Sequence, residues 1–166
     1  MPAGFRRKPQ TGNKAMLAPL LLGSLILVIN MVVQVYAVVT VIGMYIRRIG
    51  DGGIRPGIGT NFRVVSVIFG VLFLGHLLQF AAWALLFVFI GEFQDFETAF
   101  YHSSVNFTSL GYGDIVMSER WRLLGGLEAA NGVLMFGLSA GAVLSVMNHL
   151  FVQRTNLADI LNKDHE

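Results

Sequence analysis

Three apolar runs of membrane length constrain the fold of this chain more than any other feature. They occupy residues 15–46, 64–91 and 121–151. A helix needs about 20 apolar residues to cross the hydrocarbon layer and two crossings need about 40, so we expect each run to form one transmembrane helix. Of the 166 residues, 54% are hydrophobic and 13% are charged, a balance that a water-soluble domain rarely shows. The predicted fold class is an all-α integral membrane protein with three transmembrane helices.

The segments that flank these runs are polar. Residues 1–14 are basic and contain prolines, which predicts a disordered start. They resemble the basic region of a signal peptide, but the apolar run behind them is too long for one. Residues 47–63 place four arginines among glycines and prolines, which is typical of an exposed loop at a membrane face; the spacing of a phosphate-binding loop is absent. Residues 152–166 are expected to form a short polar tail.

Composition also argues against several functions. The chain has no cysteine, so no thiolate metal site or thiol catalyst is available. Its formal charge of +2 is too small to indicate a nucleic-acid partner. No apolar run carries the regularly spaced arginines of a voltage sensor. We expect no cofactor, no nucleic-acid partner and no soluble ligand-binding domain.

The segment between the second and third runs is too short to cross the membrane. Residues 95–107 are expected to be helical, with Asp95 as the N-cap. Such a helix is ~18 Å long and reaches about halfway through the hydrocarbon layer before a glycine-containing segment, 108–114, turns back. Non-helical backbone at that depth requires burial in protein or a water-filled path. The sequence therefore predicts a re-entrant helix and loop.

Gly111 and Gly113 flank Tyr112 within this loop. Only glycine adopts positive φ at little cost, so the backbone is able to alternate in handedness here and to direct successive carbonyl groups to one side. A row of aligned carbonyl oxygens is a cation ligand, and rings of such oxygens from several subunits replace the water shell of potassium. The pattern indicates cation coordination by backbone atoms.

The segment Thr-Ser-Leu-Gly-Tyr-Gly-Asp at 108–114 resembles the signature of tetrameric potassium channels. The likeness extends over residues 95–147 and is strongest to the small bacterial ion-channel proteins. It implies an outer helix at 64–91, a pore helix at 95–107, a selectivity filter at 108–114 and an inner helix at 121–151. The implied potassium ligands are the carbonyls of Ser109, Leu110, Gly111 and Tyr112 with the Ser109 hydroxyl, supported by Thr108, Gly113 and Asp114.

The sequence departs from the family's pattern in two places. Ser109 occupies a position where threonine is usual, and it keeps the hydroxyl group. Tyr101 and His102 stand where many members have two tryptophans. The packing behind Tyr112 is therefore left open by the resemblance, and His102 becomes a candidate for filter support or gating.

The resemblance implies a homotetramer in membrane lipid that passes K⁺ down its electrochemical gradient, in the cell membrane (the inner membrane in bacteria). The filter would face outward, with the N-terminus outside and residues 47–63 and 152–166 inside; basic residues are divided equally between the two sides and do not decide orientation. The gating stimulus is not assigned. Alternatives are a weakly selective cation channel, a non-conducting adaptor and an intramembrane aspartyl protease of the Gly-x-Gly-Asp type, which needs two adjacent carboxylates.

Glu128 is the acidic residue within the predicted spans, where an isolated charge is costly. We expect it behind the filter or against the pore helix, tied to other polar groups. Arg122, His102 and Asn106 are its possible partners. Its expected role is filter support or gating.

Other residues in the spans have structural and functional interpretations. Asn30 and Gln34 share one helix face, as do His76 and Gln79, which favours a hydrogen bond between these two helices over a proton sensor at His76. Small residues recur every fourth position in the third span and include the Gly137-x-x-x-Gly141 pair, which permits close helix packing. Related channels bend at an inner-helix glycine, so Gly132 and Gly137 are hinge candidates.

Overall fold

The computed structural model describes residues 14–50 and 58–163, and four helices account for most of them. They are α1 (Lys14–Gly50), α2 (Ile58–Phe89), α3 (Phe96–Phe107) and α4 (Arg122–Lys163). Three stretches, Met16–Arg47, Phe62–Phe89 and Arg122–Val152, are long and apolar enough to cross a membrane. The expected all-α membrane architecture with three spans and a short intervening helix is confirmed.

Two predicted loop regions are shorter than expected. The helices α1 and α2 extend into the predicted linker at 47–63, to Gly50 and from Ile58 respectively. The predicted tail at 152–166 is helical as far as Lys163. It contains neither glycine nor proline up to that residue, so nothing in the sequence ends a helix that is already formed. The predicted disordered start up to residue 13, the middle of the linker at 51–57 and residues 164–166 lie outside the described residues.

The first helix is packed directly against the fourth. At Gly23 the two helices approach so closely that an added Cβ would lie 2.5 Å from Leu127 Cδ1 and 3.1 Å from Leu124 Cδ2. A small residue at such a point is what allows two membrane helices to approach. The helix α1 therefore forms part of the same packed unit as α2 and α4.

Polar side chains near the middle of the three spans join these helices. This mid-membrane polar cluster consists of Asn30, Gln34, His76, Gln79, Trp83, Asn131 and Ser139. Asn30 Nδ2 donates to Asn131 Oδ1 over 2.7 Å, and Gln34 Nε2 donates to Ser139 Oγ over 2.6 Å. Gln79 Nε2 donates to Gln34 Oε1 over 2.7 Å. The last contact confirms the predicted hydrogen bond between the first two spans.

Two apolar clusters lie at opposite ends of the helix bundle. One surrounds α3 and includes Trp83, Phe87, Phe107, Trp121 and Leu124. The other joins the C-terminal part of α1 to the start of α2 and the end of α4, and it includes Val41, Tyr45, Ile68, Val146 and Leu150. The first cluster fixes the position of α3 and therefore of the segment that follows it.

Candidate functional site

The short helix α3 is held at both of its ends. The Asp95 side chain is the N-cap, as predicted, and accepts a hydrogen bond from Thr98 N at 2.7 Å. This bond is the main cause that lowers the pKa of Asp95. At the other end Phe107 is buried and its ring lies 5.1 Å from that of Phe80 and 5.8 Å from that of Phe136. These contacts set the point at which the filter segment, residues 108–114, leaves the helix.

Hydrogen bonds fold the start of the filter segment back onto α3. The Thr108 hydroxyl donates to the carbonyl of Ser104 at 2.7 Å and to that of Val105 at 3.1 Å. Leu110 N also donates to the Val105 carbonyl, at 3.0 Å. The carbonyls of Ser104 and Val105 in the last turn of the helix are thereby satisfied, and these bonds hold the start of the filter segment against α3.

The backbone of the filter segment alternates in handedness. The φ angles of Ser109, Gly111 and Gly113 are +59°, +57° and +75°, whereas Leu110 and Tyr112 are not among the residues with positive φ. Alternation of left-handed and right-handed residues is the condition under which successive carbonyls point to the same side. The sequence indicated the two glycines. It gave no signal for Ser109, whose left-handed conformation costs about 1–3 kcal/mol, a kind of strain found mainly at functional sites.

The filter segment is exposed on the single chain, although it is attached to a buried helix end. Leu110 is 55% exposed and Tyr112 is 67% exposed. Non-helical backbone within a membrane needs protein or water around its polar groups. A single chain does not provide that environment.

Tyr101 supports the end of the filter segment. Its hydroxyl donates to Asp114 Oδ2 at 2.7 Å. This bond is the main cause that lowers the pKa of Asp114 and raises the pKa of Tyr101. The tyrosine therefore fixes Asp114 from α3, a link that the sequence did not predict.

His102 lies on the buried side of α3. Its ring is 5.0 Å from the ring of Phe93 and 5.5 Å from that of Phe87. Its Nε2 atom has no hydrogen-bond partner among the described residues. Burial lowers the pKa of His102, while the charges of Glu92 and Asp114 oppose that shift. The residue packs with aromatic rings, and no hydrogen bond among the described residues joins it to Glu128.

Glu128 bridges α4 and α3 and is fully buried. Its Oε1 accepts a hydrogen bond from the Ser103 hydroxyl, and its Oε2 accepts one from Asn106 Nδ2 at 2.8 Å. Asn106 Nδ2 also donates to the Gly125 carbonyl at 2.9 Å. We call Ser103, Asn106 and Glu128 the filter-side cluster. Asn106 is the one predicted partner that the structure brings to Glu128; Ser103 was missed, and no bond joins Glu128 to Arg122 or His102.

The two hinge candidates on α4 have different surroundings. A Cβ on Gly132 would overlap the carbonyl oxygen of Phe107 at the end of α3. A Cβ on Gly137 would meet nothing within 4 Å, and α4 is one continuous helix through both positions. Gly132 therefore has a packing role that its sequence context did not indicate. The hinge role of either glycine stays a prediction.

The loop after the filter segment is also tied to the pore region. Glu92, just after α2, accepts hydrogen bonds from the backbone N–H of Ser118 and, at 2.8 Å, from the Ser118 hydroxyl. No sequence pattern indicated this pair, because the two residues lie far apart in the chain. It closes the loop that connects the filter segment to α4.

A chain with three membrane spans, a re-entrant helix and a backbone segment of alternating handedness has the architecture of an ion channel. Residues 75–149 match the family model described as Ion channel, so this part of the chain is similar to the domains of that family. The match extends from the second half of α2 through α3 and the filter segment to α4, and it confirms the resemblance drawn from the sequence. Comparisons with curated proteins and with solved structures gave no significant match.

Within the described residues, no group of three or more histidine or acidic side chains is arranged to hold a metal ion.

Proposed function

We propose that this protein is a potassium-selective channel that passes K⁺ down its gradient through a homotetrameric pore. The carbonyls of residues 109–112 would form the ion sites on the four-fold axis, together with the Ser109 hydroxyl. The observation that carries the proposal is the positive φ at Ser109, Gly111 and Gly113. It supports a row of carbonyls directed toward one axis, which is the ligand type that replaces potassium's water shell.

Tetramer formation follows from the number of ligands that one chain supplies. A single chain gives one row of carbonyls, which cannot surround an ion, and closed rotational symmetry places equivalent rows around an axis. The exposure of Leu110 and Tyr112 supports this arrangement, since neighbouring copies would cover them. Mass measurement of the protein in nanodiscs should give four copies, and a stable monomer or dimer would contradict the proposal.

Charge at the filter end favours cations. The C-terminal end of α3 leads directly into the filter segment, and the negative end of a helix dipole attracts positive charge. Acidic residues also collect around this end of the bundle: Glu92, Asp95, Glu97, Asp114 and Glu119. They would raise the local cation concentration. The proposed orientation places this end outside the cell membrane and the linker between α1 and α2 inside.

An enzymatic alternative receives no support from the contacts. An intramembrane aspartyl protease needs two carboxylates that share a proton. Asp114 is bonded to Tyr101, and Glu128 is bonded to Ser103 and Asn106. Two alternatives remain, and each differs from the proposal in a measurable quantity. A weakly selective cation channel would differ in the reversal potential, and a non-conducting adaptor would pass no current.

The decisive test is the reversal potential of purified protein in a planar bilayer with K⁺ on one side and Na⁺ on the other. We expect a value near the potassium equilibrium potential for the parent protein. Gly111→Ala and Gly113→Ala should abolish conduction or admit sodium, because alanine disfavours positive φ by roughly 1–2 kcal/mol per residue. Ser109→Thr, which keeps the hydroxyl, should retain selectivity.

Gly70→Ala is the matched control for the filter glycines. A Cβ at Gly70 meets nothing within 4 Å, as at Gly111 and Gly113, but Gly70 lies in α2 without positive φ. Its substitution should leave the reversal potential unchanged. If both filter variants also keep the parent's selectivity, the backbone of this segment is not the filter. A parent reversal potential near zero would favour the weakly selective channel.

A further inference from the structure

An open groove lies between the C-terminal part of α1 and the first turns of α2, at the end of the bundle opposite the filter segment. Its volume is about 280 Å³. The described residues that line it belong to these two helices, among them Val41, Tyr45 and Ile68. We call it the arginine groove, because Arg47 and Arg63 also line it.

The two arginines face the groove from different helices. Arg47 is the last residue of the first candidate span and Arg63 is the second residue of the next, Phe62–Phe89. Both side chains are exposed. Among the described residues, neither guanidinium group forms an ion pair or a hydrogen bond. Two cationic residues, one from each helix, therefore line the groove at the ends of two candidate spans.

The remainder of the groove is apolar. Val41 is fully buried and Ile68 is 3% exposed, so they form its floor. Val67, which is 47% exposed, lies on the rim and would face the lipid hydrocarbon. A small water-soluble anion would leave the apolar part of the groove empty. A lipid has both a charged headgroup for the arginines and an apolar chain for the rest of the groove.

We propose that the arginine groove binds an anionic phospholipid. The phosphate group would lie between Arg47 and Arg63, since guanidinium groups match phosphate oxygens in geometry and charge. One acyl chain would run along Val41, Val67 and Ile68 toward the membrane centre. Basic pockets between membrane helices are a recognised type of lipid headgroup site. The inference concerns lipid binding alone and does not depend on potassium selectivity.

The position of the groove connects such a lipid to α4. Tyr45 lines the arginine groove and also a second cavity of about 380 Å³ between α1 and α4. Its hydroxyl is 2.7 Å from His149 Nδ1. A lipid in the groove would therefore contact a residue that is itself bonded to α4.

Lipid binding to the intact full-length protein in detergent tests the proposal, with native mass spectrometry as the readout. Phosphatidylglycerol is the anionic probe, phosphatidylcholine the zwitterionic one and inorganic phosphate the soluble one. We expect phosphatidylglycerol to bind more tightly than phosphatidylcholine, and phosphate alone not to displace it. Arg47→Gln and Arg63→Gln should each weaken binding about fivefold, and the double variant about thirtyfold, from the usual contribution of one basic residue to anionic-lipid attraction.

Two further variants separate a defined site from general attraction to positive charge. Val67→Trp should fill the groove and weaken phosphatidylglycerol binding while every charge is kept. Arg122→Gln removes one exposed arginine at the opposite end of the bundle and should have no effect. Equal losses in Arg122→Gln and Arg63→Gln, unchanged binding in Val67→Trp, or displacement of the lipid by inorganic phosphate would each overturn the proposal. Arg63→Lys, which keeps the charge, should retain most of the binding and shows that the glutamine variants act through charge.

Discussion

The filter-side cluster and the mid-membrane polar cluster are both buried, but their hydrogen bonding differs. In the filter-side cluster, each oxygen of the Glu128 carboxyl group has a donor, Ser103 or Asn106. In the mid-membrane cluster, several buried atoms have no partner among the described residues: Asn30 Oδ1, His76 Nδ1, Gln79 Oε1 and Asn131 Nδ2. The first is a small, fully paired contact between two helices, and the second is a set of partly paired contacts among three.

This difference indicates how each region responds to change. The position of α3 on α4 depends on a few specific contacts, including Glu128 and the close approach of Gly132 to Phe107. The docking of α1 is shared among several neutral hydrogen bonds and an apolar core. Single substitutions should therefore have larger effects behind the filter segment than in the middle of the membrane.

The largest effect is expected for Gly132→Ala. The new methyl group would overlap a backbone carbonyl at the end of α3, which cannot move aside as a flexible side chain does. Overpacking typically costs about 1–3 kcal/mol and occasionally more, and we expect the upper end here. The assembled protein should show lower thermal stability in detergent and weaker assembly. Gly137→Ala is the control and should assemble normally. If both variants assemble and melt like the parent and differ from it only in gating, a hinge role would be favoured instead.

The second largest effect on stability and assembly is expected for Glu128→Leu. It removes both acceptors and leaves the Ser103 hydroxyl without its partner, whereas Asn106 keeps the Gly125 carbonyl. Buried unpaired polar groups cost about 1–3 kcal/mol each. Assembly and thermal stability should both decrease. Glu128→Gln preserves the shape and one acceptor, so it should fold but alter open probability in single-channel recordings. Parent-like behaviour of both variants would show that Glu128 does not link α3 to α4.

Gln79→Leu should have a smaller effect. It removes the donor to Gln34 Oε1, while Gln34 Nε2 remains bonded to Ser139. Interhelical hydrogen bonds in membranes average about 0.6 kcal/mol, and a loss of that order in unfolding free energy is expected. Ion selectivity should be unchanged. A loss as large as that of Glu128→Leu would break the distinction between the two clusters.

Tyr101→Phe should have the smallest effect on stability, since the Tyr101–Asp114 bond is exposed. The pH dependence of the Tyr101–Asp114 bond provides a specific test of its contribution. The lowered pKa of Asp114 means that the bond contributes fully above the ordinary value of 3.8 and is lost as pH falls through the lowered pKa. The raised pKa of Tyr101 means that it contributes fully below the ordinary value of 10.0 and is lost as pH rises through the raised pKa. The open-state lifetimes of Tyr101→Phe and the parent should differ by a constant factor between these limits and converge in stronger acid.

The sequence alone determined the membrane class, the three spans, the re-entrant helix and the glycines of the filter segment. These features are local: they depend on the length of apolar runs, on the Asp95 cap and on the conformational freedom of Gly111 and Gly113. The partners of the buried Glu128 were predicted only in part: Asn106 was predicted from the sequence, and Ser103 was not.

Tertiary structure decided which distant residues meet. The Ser103–Glu128, Tyr101–Asp114 and Glu92–Ser118 bonds join residues on different segments. No local pattern encodes them, because they depend on how α3 is placed on α4 and on the path of the filter segment. The role of Gly132 is of the same kind: its conformation is that of an ordinary helix, and only the carbonyl of Phe107 packed against it explains why a side chain does not fit.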